Sequence, residues 1–326
     1  MSSNLSIAMT TFNGAQFLPA QLESFAAQSR LPDELIACDD CSTDSTVELL
    51  EEFAARAQFD VRIIRNPANI GHERNFAQAV ELCTGDIIFL ADQDDAWYPA
   101  KLESVERAFD ADPDALLFVN DVLITNDNLE PTGRTVLGQM RAAGVLGANS
   151  KSLTLGCATA FRSRLRKLIS PIPPLEYGHD SWIHDFTEVL GGRRVLPRVL
   201  QLYRRHGANA SNWAFNSSSR ASPFALMQLS AGRDLTPEYA KRAQALLLMR
   251  GRLEALGPDE LAELRIGGRQ QAIIDRLSSA ADAWHRRSHI FHRGWVGRKA
   301  VAIDLLLRGD YRHFLGWRSF AKDLMR

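Results

Sequence analysis

The sequence predicts an α/β fold in which a mostly parallel sheet is flanked by helices and followed by a helical C-terminal region. Short apolar runs alternate with amphipathic patterns through the first 120 residues, polar side chains follow three of these runs, and helix-favouring residues dominate from about residue 223. Strands that alternate with helices form parallel sheets whose two faces are covered. We therefore expect an α/β domain at residues 1–215 and a helical region at residues 216–326.

Each predicted strand is a short apolar run, and each predicted helix repeats apolar residues at helical spacing. The second helix also opens with a capping-box pattern formed by Ser45 and Glu48. The weaker pattern of residues 121–156 predicts a long excursion over the surface. In chain order the predicted elements are strand Leu5–Met9, helix Leu18–Phe25, strand Glu34–Cys38, a helix from Ser45, strand Val61–Ile64, helix Phe76–Leu82, strand Ile87–Leu90, helix Lys101–Phe109, strand Ala115–Val119, and helical runs at Tyr239–Ala255 and Pro258–Ala283.

The composition is that of a soluble globular protein. The chain has 326 residues, a formal net charge of −1 and a hydrophobic share of 45%. The balanced charge gives no support to nucleic-acid binding, and no apolar run approaches the roughly 20 residues of a membrane-spanning helix. The N-terminus lacks the pattern of a secretory signal, and four scattered cysteines do not make a disulfide scaffold. We expect a cytoplasmic protein.

Polar side chains collect where three predicted strands end. Ligands bind at the carboxyl ends of strands in parallel sheets, so these side chains predict a site. The three acids after the fourth strand would repel one another and lose hydration, and a hard divalent cation is the usual compensation. The alternative is an acidic loop that happens to follow a strand. The residues are Thr10, Thr11 and Asn13 after the first strand, Asp39 and Asp40 after the second, and Asp92, Asp94 and Asp95 after the fourth.

Six segments within residues 5–212 together resemble the family-2 glycosyltransferases. The resemblance implies a GT-A fold, inverting chemistry and a nucleotide-sugar donor. The YRRHG segment and the helical tail look most like the bacterial rhamnosyltransferase-like members, which assemble O-antigen and other cell-surface polysaccharides. The segments are TTFNGAQFLPAQLESFAAQS, CDDCSTDST, NIGHERNFAQAV, GDIIFLADQDDAWYPAKLE, GHDSWIHDF and LYRRHGANAS.

The resemblance implies a UDP- or dTDP-sugar donor and a saccharide or lipid-linked saccharide acceptor. It places Thr10, Phe12 and Asn13 around the nucleotide base. Asp40 matches a carboxylate that accepts a hydrogen bond from the imide N–H of uracil or thymine, and a carboxylate suits that donor. The alternative for Asp40 is to cap the helix behind it. Arg74 matches a basic residue directed at the base or diphosphate, and its alternative is an exposed helix face.

Asp92-Gln93-Asp94 looks like the D-x-D motif of the family. The resemblance places Asp92 at the ribose or a metal-bound water, with Gln93 beside it in the nucleotide-sugar site. It assigns Asp94 to a Mg²⁺ or Mn²⁺ held between the two phosphates, where the ion neutralises the leaving diphosphate. A non-catalytic nucleotide-sugar-binding scaffold is one alternative function. A haloacid-dehalogenase-like phosphatase is another, although its nucleophile follows the first strand of the fold.

The YRRH segment supplies three further assignments. His206 stands where related sequences carry a histidine that can complete the metal site, and its alternative is a structural role. Arg204 and Arg205 are expected to bind phosphate, because the guanidinium fork matches phosphate oxygens.

Asp180 aligns with the general base of the family. An inverting transfer needs one carboxylate to take the proton from the acceptor hydroxyl as that hydroxyl attacks the anomeric carbon. Asp185, His179 and His184 are nearby rivals, and Asp180 could instead cap a helix at Trp182–Leu190. Two residues depart from the common family pattern: Cys41 replaces glycine or asparagine, and His179 replaces glutamate.

The C-terminal segment from His285 to Arg326 is basic and aromatic. It contains ten Lys or Arg residues against three Asp or Glu, together with Trp295 and Trp317. Helices that rest on anionic membranes combine these residue types, so peripheral contact with the inner membrane is one expectation. The alternative is that the aromatic residues pack on the catalytic domain or on a partner chain, as in a homo-oligomer.

Overall fold

The computed structural model describes residues 3–142, 153–173, 178–207, 234–290, 294–314 and 316–325. These residues fall into two compact units. The described part of the first unit ends at residue 207, and that of the second begins at residue 234.

The first unit is built on a nine-stranded sheet with the strand order β3-β2-β1-β4-β8-β6-β9-β5 and with β7 paired to β6. The described strands are β1 Leu5–Thr11, β2 Glu34–Asp39, β3 Asp60–Arg65, β4 Ile87–Ala91, β5 Ala96–Trp97, β6 Leu117–Thr125, β7 Pro131–Thr135, β8 Thr159–Arg162 and β9 Arg193–Arg204. The described helices of this unit are α1 Leu18–Ala26, α2 Thr46–Ala54, α3 His72–Leu82, α4 Lys101–Ala111, α5 Val136–Ala142, α6 Arg166–Ile169 and α7 His179–Leu190.

The predicted parallel arrangement is confirmed for the strands that carry the polar edge. β1 pairs in parallel with β2 on one side and with β4 on the other, and β2 pairs in parallel with β3. Every residue of β1, β2 and β4 is buried, as expected for strands covered on both faces. The carboxyl ends of β1, β2 and β4 therefore meet at one edge of the sheet.

The surface excursion predicted for residues 121–156 agrees with the structure only in part, because residues 126–134 are mostly exposed whereas residues 121–125 extend a largely covered strand. β6 continues to Thr125, pairs with β7 and is followed by α5, while residues 143–152 lie outside the described range. The buried carboxylate of Asp121 accepts the N–H groups of Val122 at 2.9 Å and Leu137 at 3.0 Å. β8 then inserts antiparallel between β4 and β6, which makes the sheet mixed.

The second unit is helical in its described residues. The helices predicted at 239–255 and 258–283 are present, but the latter is interrupted near Arg265, whose φ is +57°. In the described residues no helix combines the length and apolarity needed to cross a bilayer. The helices are α8 Thr236–Glu254, α9 Pro258–Glu263, α10 Gln270–Ser288, α11 Trp295–Leu307 and α12 Trp317–Met325.

A small core and a buried ion pair hold the last two helices of the second unit. Ile290, Leu305 and Tyr311 form the core. The guanidinium of Arg287 donates two hydrogen bonds to the buried carboxylate of Asp323, at 2.9 and 3.1 Å. The Tyr311 hydroxyl donates a third to the same carboxylate at 3.0 Å. These bonds satisfy the charge that burial would otherwise leave uncompensated.

Candidate functional site

A cavity of about 570 Å³ opens at the carboxyl ends of β1, β2 and β4. It lies within the first unit and gathers side chains from segments that are far apart in the sequence. Nine of the twelve residues that sequence analysis assigned to the site line this cavity. They are Thr10, Phe12, Asn13, Asp40, Asp92, Gln93, Asp94, Asp180 and His206.

Asp40 lies at the end of β2 with its side chain held in place by three donors. Its Oδ1 accepts hydrogen bonds from Asn66 Nδ2 at 3.0 Å and from the N–H of Ile70 at 2.8 Å, and its Oδ2 accepts the N–H of Gly71 at 2.9 Å. A carboxylate has about four acceptor positions, so one on Oδ2 remains for a ligand. The Asp40 side chain does not cap the following helix, which was the alternative role, because the three hydrogen bonds that it accepts come from residues 66–71.

The loop after β1 is fixed by contacts with the D-x-D segment. The N–H of Phe12 donates to Gln93 Oε1 at 2.8 Å, and Gln93 Nε2 donates back to the Phe12 carbonyl at 3.1 Å. Asn13 has a φ of +46° and donates its N–H to Ser42 Oγ at 2.8 Å. Gly14 follows, and a Cβ there would lie 2.1 Å from Gln93 Oε1. Gln93 therefore positions the loop and does not extend freely into the cavity.

Asp94 and His206 face each other across the cavity wall. His206 Nε2 lies 2.8 Å from Asp94 Oδ2, and the imidazole ring stacks on Phe17 with 4.3 Å between ring centroids. Asp92 lines the same wall, and no described residue donates a hydrogen bond to its carboxylate. Desolvation and the neighbouring charges of Asp94 and Asp95 raise the pKa of Asp92 well above its ordinary value. Asp92, Asp94 and Asp95 are thus close enough for their charges to interact, and a bound cation would relieve this repulsion.

These residues fit a hard divalent cation bound together with a diphosphate. Among the described residues, no group of three His, Cys, Asp or Glu side chains surrounds a common metal position. Mg²⁺ in nucleotide sites, however, is bound through one or two carboxylates, and phosphate oxygens and waters complete the shell. Asp94 and His206 are close enough to share one ion, and the nearby carboxylate of Asp92 would favour its charge.

A buried network behind the acidic segment was missed by sequence analysis. Asp95 is fully buried and accepts hydrogen bonds from Gln201 Nε2 at 2.9 Å and from the N–H of Arg204 at 3.1 Å. Lys101 is 1% exposed, donates to Gln201 Oε1 and to the Cys157 carbonyl, and lies over the Trp97 ring. Burial raises the pKa of Asp95 to about 7 and lowers that of Lys101 to about 7.

Asp180 lies in the first turn of α7, which begins at His179 and not at Trp182 as predicted. The N–H of Ser181 donates to its Oδ1 at 2.6 Å. Desolvation raises the pKa of Asp180 above its ordinary value, although this bond and the His72 imidazole oppose the shift. A carboxylate with a raised pKa, facing a cavity, suits proton transfer.

The three rivals of Asp180 differ from it in position or in hydrogen bonding. His184 receives a bond from Arg193 Nε on Nδ1 and contacts Thr159 Oγ1 through Nε2, so both ring nitrogens are engaged. Asp185 is outside the cavity lining, although burial raises its pKa to about 8. His179 lines the cavity, but burial lowers its pKa to about 3, which keeps the imidazole neutral.

The three predicted arginines lie outside the cavity lining. Arg74 is exposed on α3. Arg204 is buried, donates from Nε to the Asp94 carbonyl at 2.6 Å and also bonds the Asp127 carbonyl. Arg205 donates to the Tyr203 hydroxyl at 3.3 Å. Arg204 therefore supports the D-x-D segment from behind, where its guanidinium is already engaged by protein carbonyls.

Several lining residues gave no signal in the sequence. Phe17 belongs to a segment that reads as the start of a helix, and Asn75 to a helix face, so neither pattern points to a site. Residues 154–157 follow a stretch of weak pattern. The available signal for Asn69, His72 and Tyr203 was their place inside the segments that resemble the family. The missed lining residues are Phe17, Asn69, His72, Asn75, Thr154, Leu155, Gly156, Cys157 and Tyr203, in addition to Thr11, which was noted without an assigned role, and His179, which was considered only as a rival general base.

A family model described as glycosyl transferase family 2 matches residues 6–169, about half of the 326-residue chain. An uncharacterized protein of Mycobacterium tuberculosis is 28% identical over 205 residues, which are 62% of this chain and 59% of that protein. The match thus spans about three fifths of that relative's length. The dTDP-rhamnosyl transferase RfbG of Shigella flexneri is 32% identical over 100 residues, 29% of this chain and 35% of that protein.

Solved structures share the fold at low identity. TarS of S. aureus, residues 1–349 in complex with UDP, superposes with a TM-score of 0.56 at 14% identity, covering 97% of this chain and 90% of that chain. The mannosyltransferase PcManGT of Pyrobaculum calidifontis, in complex with GDP-Man and Mn²⁺, superposes with a TM-score of 0.50 at 15% identity, covering 100% and 86%. The α/β fold with a helical C-terminal region agrees with both. The chain belongs to glycosyl transferase family 2 and has the GT-A fold.

Proposed function

We propose that the protein is a metal-dependent, inverting glycosyltransferase. Its donor is a UDP- or dTDP-sugar, and its acceptor is a saccharide or lipid-linked saccharide of a bacterial cell-surface polysaccharide such as O-antigen. The observation that carries the proposal is the set of carboxylates around one cavity. Asp40, Asp92, Asp94 and Asp180 all line it and come from four different segments of the chain.

The nucleotide base lies against Asp40 and the loop after β1. Asp40 is held by three donors and keeps one acceptor position on Oδ2, which matches the single imide N–H of uracil or thymine. Phe12 is exposed beside it and offers an aromatic surface to the base. Because the Gln93 side chain makes two hydrogen bonds with the Phe12 backbone, the loop is already formed before the donor binds. Adenine has no ring N–H on that edge, and guanine presents one only on a bicyclic ring that is larger than a pyrimidine.

The diphosphate lies at Asp92 and Asp94. Asp94 and His206 would hold a Mg²⁺ or Mn²⁺, which when bound neutralises the charge of the departing nucleoside diphosphate. Arg204 contributes indirectly, because it bonds the Asp94 carbonyl and fixes the segment that carries both aspartates. PcManGT, a structure of the same fold, was crystallised with Mn²⁺, which supports this assignment.

Asp180 acts as the general base. Its carboxylate takes the proton from the acceptor hydroxyl while that oxygen forms a bond to the anomeric carbon. The bond from the anomeric carbon to the diphosphate oxygen breaks on the opposite face, so the anomeric configuration inverts. The partial similarity to a dTDP-rhamnosyl transferase makes rhamnose the first sugar to test.

The test measures nucleotide binding with and without Mn²⁺. UDP and dTDP should stabilise the native chain in thermal-shift assays when Mn²⁺ is present, while ADP and GDP should give smaller shifts. Asp94→Asn should abolish the additional shift due to Mn²⁺ and reduce sugar transfer by at least about a hundredfold. Asp110→Asn, an exposed aspartate on α4, is the matched control and should behave as the unmodified protein.

Two outcomes would contradict parts of the proposal. Equal stabilisation by all four nucleoside diphosphates would remove the role of Asp40 in base selection. Full transfer activity in Asp94→Asn with Mn²⁺ would remove the metal assignment. The anomeric configuration of the product, read by NMR against that of the donor, tests the inverting mechanism separately.

A further inference from the structure

One face of α11 exposes large apolar side chains that its own unit does not cover. Trp295, Val296, Ile303, Leu306 and Leu307 are each between 46% and 82% exposed. At 3.6 residues per turn, these five side chains fall within an arc of about 120° along a helix about 20 Å long. We call this surface the α11 face. A contiguous exposed apolar surface of this kind marks an interaction site.

The opposite side of α11 is packed, so the exposure does not result from a detached helix. Leu305 is fully buried and joins the core with Ile290 and Tyr311, and Val301 packs against that core. The helix therefore has one side committed to the fold and one side that presents tryptophan and aliphatic residues outward. α12 adds the exposed residues Trp317 and Met325 to the same unit.

Charge identifies the kind of partner. The ammonium of Lys299 projects from within the α11 face and lies 3.9 Å from the centre of the Trp295 ring. The three carboxylates of residues 294–325 are each engaged by an arginine, because Asp304 pairs with Arg308, Asp310 with Arg286 and Asp323 with Arg287. Arg318 is exposed beside Trp317. The surface around the apolar side chains is therefore basic.

This combination favours a lipid surface over a second copy of the chain. The centres of protein–protein interfaces are depleted in lysine, whereas Lys299 lies inside the apolar arc. At a membrane, a lysine extends its ammonium to the headgroups while its methylene chain stays with the apolar face, and tryptophan prefers the same interfacial depth. We propose that the α11 face binds the surface of an anionic bilayer, with the apolar side chains inserted among the lipids and the basic side chains at the phosphates.

Vesicle flotation of the full chain tests the proposal. The protein should float with vesicles that contain phosphatidylglycerol, should bind vesicles of phosphatidylcholine alone much less, and should be released by high salt. The double variant Val296→Glu with Leu307→Glu should lower the bound fraction at least about tenfold, and Lys299→Gln about fivefold. The double variant Leu247→Glu with Leu248→Glu places the same two charges at exposed leucines of α8 and is the matched control, expected to bind as the unmodified chain.

The outcomes separate this proposal from its rivals and from misfolding. Circular dichroism and UDP binding verify that each variant is folded, and neither depends on the α11 face. Failure of the unmodified chain to float with either vesicle overturns the proposal. A concentration-dependent dimer, measured by analytical ultracentrifugation, would also overturn the proposal if Leu307→Glu dissociates it and leaves flotation unaffected. If the unmodified chain floats with the vesicles but transfers no sugar, the result counts against the proposed function and leaves the proposal for the α11 face intact.

Discussion

Among the candidate general bases, Asp180 combines a place in the cavity lining with a raised pKa. It lines the cavity, its pKa is raised by desolvation, and its Oδ1 accepts a hydrogen bond from the N–H of Ser181 at 2.6 Å. His184 uses both ring nitrogens in protein contacts, and Asp185 lies outside the cavity lining. Position decides between Asp180 and Asp185, because burial raises the pKa of both carboxyls.

Asp180→Asn should reduce kcat by about 10²- to 10⁴-fold, because the amide cannot accept the hydroxyl proton. Nucleotide binding should change little, since Asp180, as the proposed general base, contacts the acceptor hydroxyl and not the nucleoside of the donor. The acidic limb of the kcat/KM profile should lie above the ordinary pKa of aspartate. The sign follows from the raised pKa: the base is protonated, and activity is lost, as the pH falls through it.

Asp185→Asn is the matched control on the same helix and should retain most of the activity. The assignment fails if Asp185→Asn abolishes transfer while Asp180→Asn retains it. Fold integrity in both variants is verified by their melting temperatures, since Asp180 Oδ1 also accepts a backbone hydrogen bond.

At the scale of elements, Lys101 joins α4 to β9 and to the segment that follows residue 153. Its ammonium donates to the Gln201 side chain on β9 and to the Cys157 carbonyl, and Gln201 Nε2 in turn donates to the Asp95 carboxylate. This chain of bonds fixes the residue next to Asp94 from the interior. A buried network of this type is stabilising only while each member keeps its partners.

Lys101→Met should lower the free energy of unfolding by about 1–3 kcal/mol, because two buried acceptors lose their donor. Urea denaturation measures the change. Lys167→Met, at an exposed α6 position, is the control and should change the value by less than about 0.5 kcal/mol. An increase in stability for Lys101→Met would mean that the cost of burying the ammonium exceeds the value of its hydrogen bonds.

The sequence predicted those parts of the site that depend on local pattern. Strand ends are readable from apolar runs, so Asp40, Asp92 and Asp94 were correctly predicted to share one edge. Lys101 was read only as the start of a helix, because its burial depends on Gln201, a hundred residues away. The phosphate role assigned to Arg204 rested on residue type alone, whereas in the structure backbone carbonyls occupy its guanidinium.

Four described strands were not predicted, β5, β7, β8 and β9, and β7 and β8 show the same limit at the level of topology. β8 and β7 are short and follow a stretch rich in glycine and asparagine, so periodicity could not identify them. Their places in the sheet depend on pairing with β4 and β6, which no local pattern specifies. The helical region was easier to predict, because its runs are long and rich in good helix formers.

At the scale of the whole molecule, each unit has an apolar core of its own among the described residues. The core of the first unit is drawn from residues between Leu5 and Leu200, and the small core of the second from Ile290, Leu305 and Tyr311. The residues that line the cavity all lie between Thr10 and His206. We therefore propose that residues 1–215 form an independently folding catalytic domain.

A chain truncated after residue 215 should remain folded and unfold cooperatively, because the described core of the first unit includes no residue beyond 200. It should bind UDP in Mn²⁺ with a Kd within about threefold of the full chain, since the cavity lining is retained. It should also fail to float with phosphatidylglycerol vesicles, because the α11 face is absent. Isothermal titration, thermal melting and flotation of the same two proteins provide the three measurements. A truncated chain that is folded but does not bind UDP would show that the second unit contributes to the donor site, and an insoluble one would contradict independent folding.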